Sequence, residues 1–167
     1  MSDATSAEMF ARGGDFLARH RREYLTSGGT RGHILDLRDN GGLAFSPHLL
    51  LAYVGRKSGK RYINPLFYGA VGGEVVIIAS KGGADHHPEW YLNLVSRPDV
   101  RFQIGTQAFR GTWREPEGDE RAYVWDFMVR NNPSFACYQS TTTRRIPVVL
   151  LKETEEIAVF TEDDCDA

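Results

Sequence analysis

Short apolar segments separated by tight turns fill the middle of the chain. They are rich in leucine, valine, isoleucine and tyrosine, and they cover residues 49–54, 62–68, 74–80, 100–104, 107–113 and 147–152. Such segments, bounded by glycine, asparagine and aspartate, are typical of β-strands. Gly105-Thr106, between two of them, indicates a tight hairpin. The pattern therefore predicts a series of hairpins, to which residues 33–37 and 157–160 add shorter strands.

Three other segments place apolar residues at helical spacing: residues 8–25, 87–95 and 120–130. Pro88 suits the first turn of the second helix, and Asn131-Asn132-Pro133 ends the third. Helices inserted between hairpins predict an α+β fold with a predominantly antiparallel β-barrel and an N-terminal helix. The strand, helix, strand order around Pro88 would also suit a parallel sheet, but too few such units follow.

The length of 167 residues predicts one barrel domain with a substantial core. We assign residues 1–30 to an N-terminal tail and amphipathic helix, and residues 31–161 to the barrel. Residues 162–167 form an acidic tail that we expect to be disordered. We find no internal repeat and no linker.

The formal net charge of −2 gives no general attraction to nucleic acid, so any anion site must be local. Cys137 and Cys165 form no metal-binding pattern, and such sparse cysteine usage predicts two free thiols in a reducing compartment. No apolar run is long enough for a membrane span, and no secretory signal is visible. We therefore expect a cytoplasmic protein.

The N-terminal helix allows two interpretations. Phe16, Leu17, Tyr24 and Leu25 share one face, while arginines occupy the others. The first interpretation is a surface helix packed on the barrel through its apolar stripe. The second is a basic amphipathic helix that makes weak contact with a membrane surface.

Positive charge is concentrated in one turn between two predicted strands, which we call the basic turn (residues 56–61). Arg56, Lys57, Lys60 and Arg61 surround Ser58-Gly59. Arginine, lysine, a hydroxyl and backbone N–H groups are the donors that bind phosphate, although the spacing is not that of a Walker loop. A solvated hairpin would have the same composition, because lysines also protect sheet edges.

A second candidate segment is the glycine loop (residues 79–84), which follows the apolar strand at residues 74–80. Lys81 can reach the basic turn if the strands pair, and the glycines allow a ligand to approach the backbone. Trp90 and Asn93 follow on one helical face, where Trp90 could cover an aromatic ring system. Adjacent His86 and His87 do not indicate a metal site, because no partner lies at zinc-like spacing.

Three stretches together resemble the deazaflavin-dependent nitroreductase family, which comprises split β-barrel reductases that use coenzyme F420. They are GRKSGKRYINPL, ASKGGADHHPEWYLNL and YQSTTTRRIPVVLL, within residues 49–151. Long motifs in the right order are more specific than any short pattern. The resemblance implies a split β-barrel fold and F420 as the cofactor.

Carried over by position, the resemblance implies binding sites for both ends of the cofactor. The phosphate would be bound by the basic turn and Lys81, at Arg56, Lys57, Ser58, Gly59 and Lys81. The ring would lie against Asn64, Pro65, Ile78, Ala79, Ser80, Trp90 and Asn93. The family often has arginine where Tyr62 stands. Because a shift of one residue in a strand reverses the side chain, Arg61 would bind phosphate only if the turn adjusts.

The resemblance implies a reductase that transfers a hydride from reduced F420 to an electron-poor small molecule, such as a quinone, an activated enone or a nitroaromatic. Ser80 or Tyr138 could donate a hydrogen bond or proton to the substrate oxygen, as could solvent. In some family members a tyrosine-rich segment closes over the substrate. Here residues 132–138 match it, and only Tyr138 keeps the phenol. The longer segment at residues 31–47 could reshape the pocket mouth.

Three alternatives remain open from the sequence. An FMN-dependent split-barrel oxidoreductase would share the fold and the phosphate site. A non-catalytic deazaflavin carrier would bind the cofactor without turnover. A basic module that binds nucleic acid is opposed by the net charge. The oligomeric state is not predicted.

Overall fold

A computed structural model describes residues 6–166, including the side chains from residue 15 onwards except that of Asn40. The tail is predicted at residues 1–7, of which residues 1–5 lie outside this part of the chain, and α1 begins at Ser6. Seven strands are present within it: β1 (Ile34–Leu35), β2 (Ser46–Val54), β3 (Arg61–Val71), β4 (Glu74–Ile78), β5 (Asp99–Ile104), β6 (Gln107–Arg114) and β7 (Val148–Ile157). The helices there are α1 (Ser6–Thr26), α2 (Glu89–Leu94), α3 (Gly118–Asn131) and α4 (Ser134–Ser140).

Six strands close into an antiparallel barrel in the order β2-β3-β4-β7-β6-β5, and β5 pairs with β2 to complete the ring. The short strand β1 pairs with the start of β2. Helix α2 is inserted between β4 and β5, and α3 and α4 lie between β6 and β7. The predicted antiparallel barrel with inserted helices is therefore confirmed.

Alternation along the strands divides the core into an interior and two outer faces, as the two-residue side-chain period requires. On β4, Val75 and Ile77 point into the barrel, where α2 contributes Trp90 and Leu94. Val76 and Ile78, between them, pack against α3 and α4. On β2, Leu50 instead faces α1 and the C-terminal segment.

Helix α1 is anchored to the barrel by its last turn. Tyr24 is fully buried and Leu25 nearly so. The Tyr24 hydroxyl donates to the His48 carbonyl oxygen at 3.0 Å and accepts from the Gly105 N–H at 2.8 Å. The first interpretation of this helix, packing through an apolar stripe, therefore describes its C-terminal end.

Three elements differ from the sequence predictions. Pro133 ends α3, as expected, but it also precedes a seven-residue helix, α4, which we did not predict. The predicted strand at 147–152 is part of a longer strand, β7, which ends at Ile157 and has a bulge opposite Arg110 and Gly111, so the separate strand predicted at 157–160 is wrong. Residues 79–80 lie beyond the end of β4.

Residues 162–166, the described part of the acidic tail, are ordered rather than disordered. Residues 162–164 form a 3-10 turn with a capping box between Thr161 and Asp164. Asp166 then accepts from both the backbone and the guanidinium of Arg61, at 2.7 and 2.9 Å. The buried Phe160 side chain holds the start of this segment against the barrel.

Candidate functional site

A cleft of about 620 Å³ lies on the side of the barrel. Its walls come from α1, β2, β3, the end of β4, the glycine loop, α2 and α4. A second pocket of about 300 Å³ is lined by Arg56, Lys57 and Ser58 of the basic turn. Tyr53 and Glu89 line both spaces, so the two spaces adjoin, and we call the pair the tract.

The basic turn is held to α2 by Arg56. Its backbone N–H and its guanidinium both donate to the Asn93 side-chain oxygen at 2.9 Å, and the guanidinium also donates to Glu89 at 2.9 Å. Lys57 and Ser58 line the same pocket. Gly59 has φ of +72°, a conformation that glycine adopts without steric cost, and this lets the turn close tightly.

Three of the predicted phosphate ligands act electrostatically on Glu89. Its pKa is lowered chiefly by the hydrogen bond from Arg56, and the charges of Arg56, Lys57 and Lys81 lower it further. Lys81 follows the end of β4 and Lys57 lies between β2 and β3, and the charges of both act on Glu89. Lys81 lines the large cleft rather than the pocket of the basic turn, so its role as a phosphate ligand stays a prediction.

Arg61 is not brought into this group. Tyr62 lines the pocket of the basic turn, and the neighbouring Arg61 points to the opposite face of β3, where it pairs with Asp166 at 2.9 Å. Arg61 stands one residue before the position of Tyr62, and this shift by one residue along the strand reverses the direction of its side chain. The assignment of Arg61 to the cofactor site is therefore corrected, because the turn does not adjust to redirect it.

The predicted ring-binding residues mostly share the large cleft. Those that line it are Asn64, Pro65, Ile78, Ser80 and Trp90. Asn64 donates to the Tyr53 hydroxyl at 3.0 Å, which fixes the Tyr53 ring beside the junction of the two spaces. Ala79 is fully buried and is not part of the cleft wall, and Asn93 lies instead in the pocket of the basic turn.

The two proposed hydrogen-bond donors to a substrate, Ser80 and Tyr138, both line the large cleft. Ser80 lies immediately after β4 and is nearly buried, whereas Tyr138 is a half-buried residue of α4. Tyr138 packs edge-to-face against Phe135, which contacts Phe67 in the same way. Helix α4, which we did not predict, therefore sets the position of Tyr138.

The glycine loop is held by Arg144, a residue to which we assigned no role. Its guanidinium donates to three backbone carbonyl oxygens, those of Ser80 at 2.7 Å, Ala84 at 2.6 Å and Ala79 at 3.2 Å. It also donates to His87 Nδ1 at 2.9 Å. Arg144 belongs to the YQSTTTRRIPVVLL stretch, so the family motif contained the signal that could have identified it.

Lys81 has an unusual backbone for a residue with a side chain, with φ of +46°. Left-handed geometry at a non-glycine residue costs about 1–2 kcal/mol, and surrounding contacts must sustain it. The Arg144 bonds to both ends of the loop supply such contacts. Lys81 Nζ lies 2.7 Å from His86 Nε2 and donates to it.

Sequence reasoning also missed an aromatic compartment of the cleft, formed by Phe16, His20, His48, Phe67 and Phe135. Two of these residues come from α1 and one from the start of β2. No short motif relates them, because the packing of α1 on the barrel brings them together. Among the described residues no group of three histidine, cysteine, aspartate or glutamate side chains could hold a metal ion.

Stability should fall as the pH drops below 6.5 because of His48. Burial, with smaller contributions from His20 and His33, lowers the pKa of His48 from 6.5 to about 4, against the raising effect of the Ser46 carbonyl. Between these values the unfolded chain binds more protons than the folded one. The His48 contribution is therefore complete above pH 6.5 and lost as the pH falls towards 4. From pH 7.5 to 5 the loss should be about 2 kcal/mol.

Urea denaturation of the wild type and of His48→Phe at the two pH values would measure this difference. The other titrating groups are shared by both proteins. Between pH 7.5 and 5 the free energy of unfolding of the variant should therefore fall by about 2 kcal/mol less than that of the wild type. Equal losses in both proteins would contradict the assignment of a buried neutral imidazole.

The chain matches proteins of one family over most of its length. The family model described as F420H(2)-dependent quinone reductase matches residues 20–153. An F420H(2)-dependent quinone reductase of Mycobacterium tuberculosis is 38% identical over 108 residues, which are 63% of this chain and 72% of that protein.

Two solved structures are similar in both sequence and fold. An F420-H2 dependent reductase is 39% identical with a TM-score of 0.58, over 64% of this chain and 94% of that one. A protein solved as a domain-swapped dimer is 35% identical with a TM-score of 0.61, over 84% of this chain and 99% of that one. The match to the family model spans the basic turn, the glycine loop, α2, α4 and Arg144.

Proposed function

The chain belongs to the F420H(2)-dependent quinone reductase family, and on that basis we propose that it reduces a quinone or a similar electron-poor small molecule with reduced F420. The enzyme class and the cofactor follow from the family. The acceptor and the residues that carry the reaction are our proposal.

The observation that carries the proposal is the tract, which extends from the basic turn to the aromatic compartment. At one end Arg56 pairs with Glu89, and the charges of Lys57 and Lys81 also lower the pKa of this carboxylate, so the three cations are a donor set suited to a phosphate. The adjoining cleft, with its cavity volume of about 620 Å³, has flat apolar walls that include Pro65 and Trp90. The residues present therefore fit a ligand with a phosphate tail and a planar ring.

When bound, the deazaflavin supplies the hydride, and the protein supplies binding and orientation. Lys57 and Arg56 would hold the phosphate, and Asn64 would fix the ring edge together with Tyr53. Ser80 and Tyr138 would donate hydrogen bonds to the acceptor oxygen where negative charge develops in the transition state. The aromatic compartment would exclude water from the acceptor.

Anaerobic absorbance of reduced F420, mixed with the protein and a panel of one quinone, one enone and one nitroaromatic, tests the proposal. We expect oxidation of F420 with the quinone at a rate proportional to protein concentration. Binding of F420 without oxidation by any acceptor would indicate a carrier instead. Tight binding of FMN without binding of F420 would overturn the cofactor assignment for this chain.

Replacing Lys57 by alanine should weaken F420 binding by about 1.5–3 kcal/mol, because a charge-assisted hydrogen bond to phosphate is lost. Titration monitored by F420 fluorescence would measure the affinity. Arg61→Ala is the matched control, since Arg61 pairs with Asp166 on the other face of β3. Its affinity for F420 should equal that of the wild type. Equal weakening by both variants would place the phosphate elsewhere.

We also propose weak peripheral contact between α1 and anionic membranes. None of the described helices is long and apolar enough to cross a membrane. Leu17, however, is 51% exposed and is followed by exposed basic residues, including Arg19 and Arg22. Such an arrangement favours binding at a lipid surface.

Co-sedimentation with vesicles that contain anionic lipid should detect part of the protein at low salt. The fraction should fall for Leu17→Ser and at high salt, because both the apolar and the electrostatic contributions are then reduced. Sedimentation that is absent, or that is unchanged by the substitution and by salt, would dismiss this contact.

A further inference from the structure

Two histidines lie edge-to-face in the aromatic compartment, and the proposed reaction uses neither. His20 is on α1 and His48 is on β2, and their ring centroids are 5.0 Å apart. Aromatic rings surround the pair. Phe16 lies 6.0 Å from His20 and Phe67 lies 6.2 Å from His48, centroid to centroid. Both histidines contribute to the cleft wall.

Backbone carbonyl groups fix the tautomer of each imidazole. His48 Nδ1 lies 2.9 Å from the Ser46 carbonyl oxygen, and His20 Nε2 lies 2.7 Å from the Gly32 carbonyl oxygen. A carbonyl oxygen only accepts hydrogen bonds, so each of these nitrogens must carry the proton. In the neutral rings His48 Nε2 and His20 Nδ1 are therefore acceptors.

Both rings are neutral at physiological pH. Burial lowers the pKa of each, and His33 and His20 add to the lowering at His48. The Gly32 carbonyl and Glu23 act in the opposite direction on His20 without reversing the effect. This wall of the compartment consequently presents hydrogen-bond acceptors and no imidazolium donor.

The two free nitrogens differ in access. His20 Nδ1 is buried and has no hydrogen-bond partner among the described residues. His48 is half-buried and lines the cleft, and its Nε2 has no hydrogen-bond partner among the described residues. It is therefore the imidazole nitrogen of the pair that a molecule in the cleft can reach.

We propose that His48 Nε2 accepts a hydrogen bond from a hydroxyl group of the electron acceptor, so that this chain selects hydroxyl-bearing acceptors. The inference rests on the proposed function, since it assigns the aromatic compartment to the acceptor. A quinone oxygen directed at His48 would face a lone pair, whereas a hydroxyl gains a hydrogen bond there. His48 thus determines both which acceptor binds and which end of it faces α1.

A matched pair of acceptors tests this directly: a 1,4-benzoquinone with a hydroxyethyl side chain, and its methyl ether. The wild type should show a kcat/KM about tenfold higher for the alcohol, the effect of one hydrogen bond in a half-buried site. His48→Phe should reduce that ratio to about one. His48→Gln should preserve much of it, because its amide oxygen is still an acceptor.

Calorimetric dissociation constants of the two quinones, measured with the protein alone, give a readout that needs no turnover. A tenfold binding preference for the alcohol that disappears in His48→Phe supports the proposal. It does so even if reduced F420 reduces neither quinone, in which case only the proposed function fails. Equal binding and equal kcat/KM for alcohol and ether in the wild type overturn the inference, while measurable reduction of both leaves the proposed function intact. A preference that survives in His48→Phe also overturns it.

Discussion

Substitution of Arg144 by alanine should destabilise the protein by about 3–4 kcal/mol and weaken F420 binding by about 100-fold. The guanidinium donates to the carbonyl oxygens of Ala79, Ser80 and Ala84. Its loss removes the Arg144 bond from all three, and among the described residues only the Ser80 carbonyl keeps a second donor, the Gly83 N–H at 2.9 Å. The glycine loop would then relax, and Lys81 would lose its position beside the basic turn. Thermal or urea denaturation and a fluorescence titration with F420 would measure the two effects.

Arg145→Ala is the matched control for that experiment. Arg145 is the neighbouring arginine, but it is exposed. Its substitution should change the free energy of unfolding by no more than about 0.5 kcal/mol, as is usual for surface positions. Arg144→Lys should rescue only partly, because an ammonium cannot reproduce the planar fork that reaches several carbonyls. Similar results for Arg144→Ala and Arg145→Ala would show that the loop does not depend on these bonds.

Substitution of Gly83 by alanine should cost about 3 kcal/mol and should displace α4 from the glycine loop. A Cβ atom at this position would lie 2.1 Å from Thr141 Oγ1 and 2.8 Å from the Tyr138 carbonyl oxygen. The side chain of Thr141 can rotate, but the backbone of α4 must move. Overpacking of this kind adds to the cost of a side chain at φ of +83°. Because α4 carries Tyr138 and Phe135, acceptor turnover should fall together with stability.

Gly72→Ala separates the two causes. Gly72 also has positive φ, at +60°, but nothing lies within 4 Å of the added Cβ. This variant should lose only about 1–2 kcal/mol, the cost of the left-handed conformation alone, and should retain acceptor turnover. If Gly83→Ala were no more harmful than Gly72→Ala, close packing between α4 and the loop would not matter.

Local pattern was sufficient to predict the barrel. Period-two alternation and tight turns specify the hairpins β2–β3, β3–β4 and β5–β6 from neighbouring residues. Closure of the six strands into a barrel then leaves no exposed sheet edge. The same reasoning could not foresee α4. Asn131-Asn132-Pro133 is a strong helix stop, and the helix that follows is only seven residues long and owes its stability to packing against α3 and the glycine loop rather than to its own sequence.

The candidate site was predictable to the extent that its residues are close in sequence. The basic turn and the glycine loop each form one short segment, and strand pairing brings them together. Arg144 and His48 were not predictable, because their roles depend on carbonyl groups and rings supplied by distant segments. Arg61 was assigned by composition, and its position in β3 directs it to Asp166.

The pairing of Arg56 with Glu89 means that the phosphate end of the tract already contains an internal counter-ion. A carboxylate tethered to the same fold competes at an effective concentration on the order of millimolar or higher. Chloride or free inorganic phosphate must displace the Glu89 carboxylate from Arg56 without any additional binding along the cleft. Binding of these small anions is therefore disfavoured. A ligand that is also bound along the cleft presents its phosphate to Arg56 at a comparably high effective concentration. Such a ligand can therefore compete with Glu89 for Arg56. Glu89 would thus make occupancy depend on simultaneous engagement of both ends, so that small cellular anions do not fill the site.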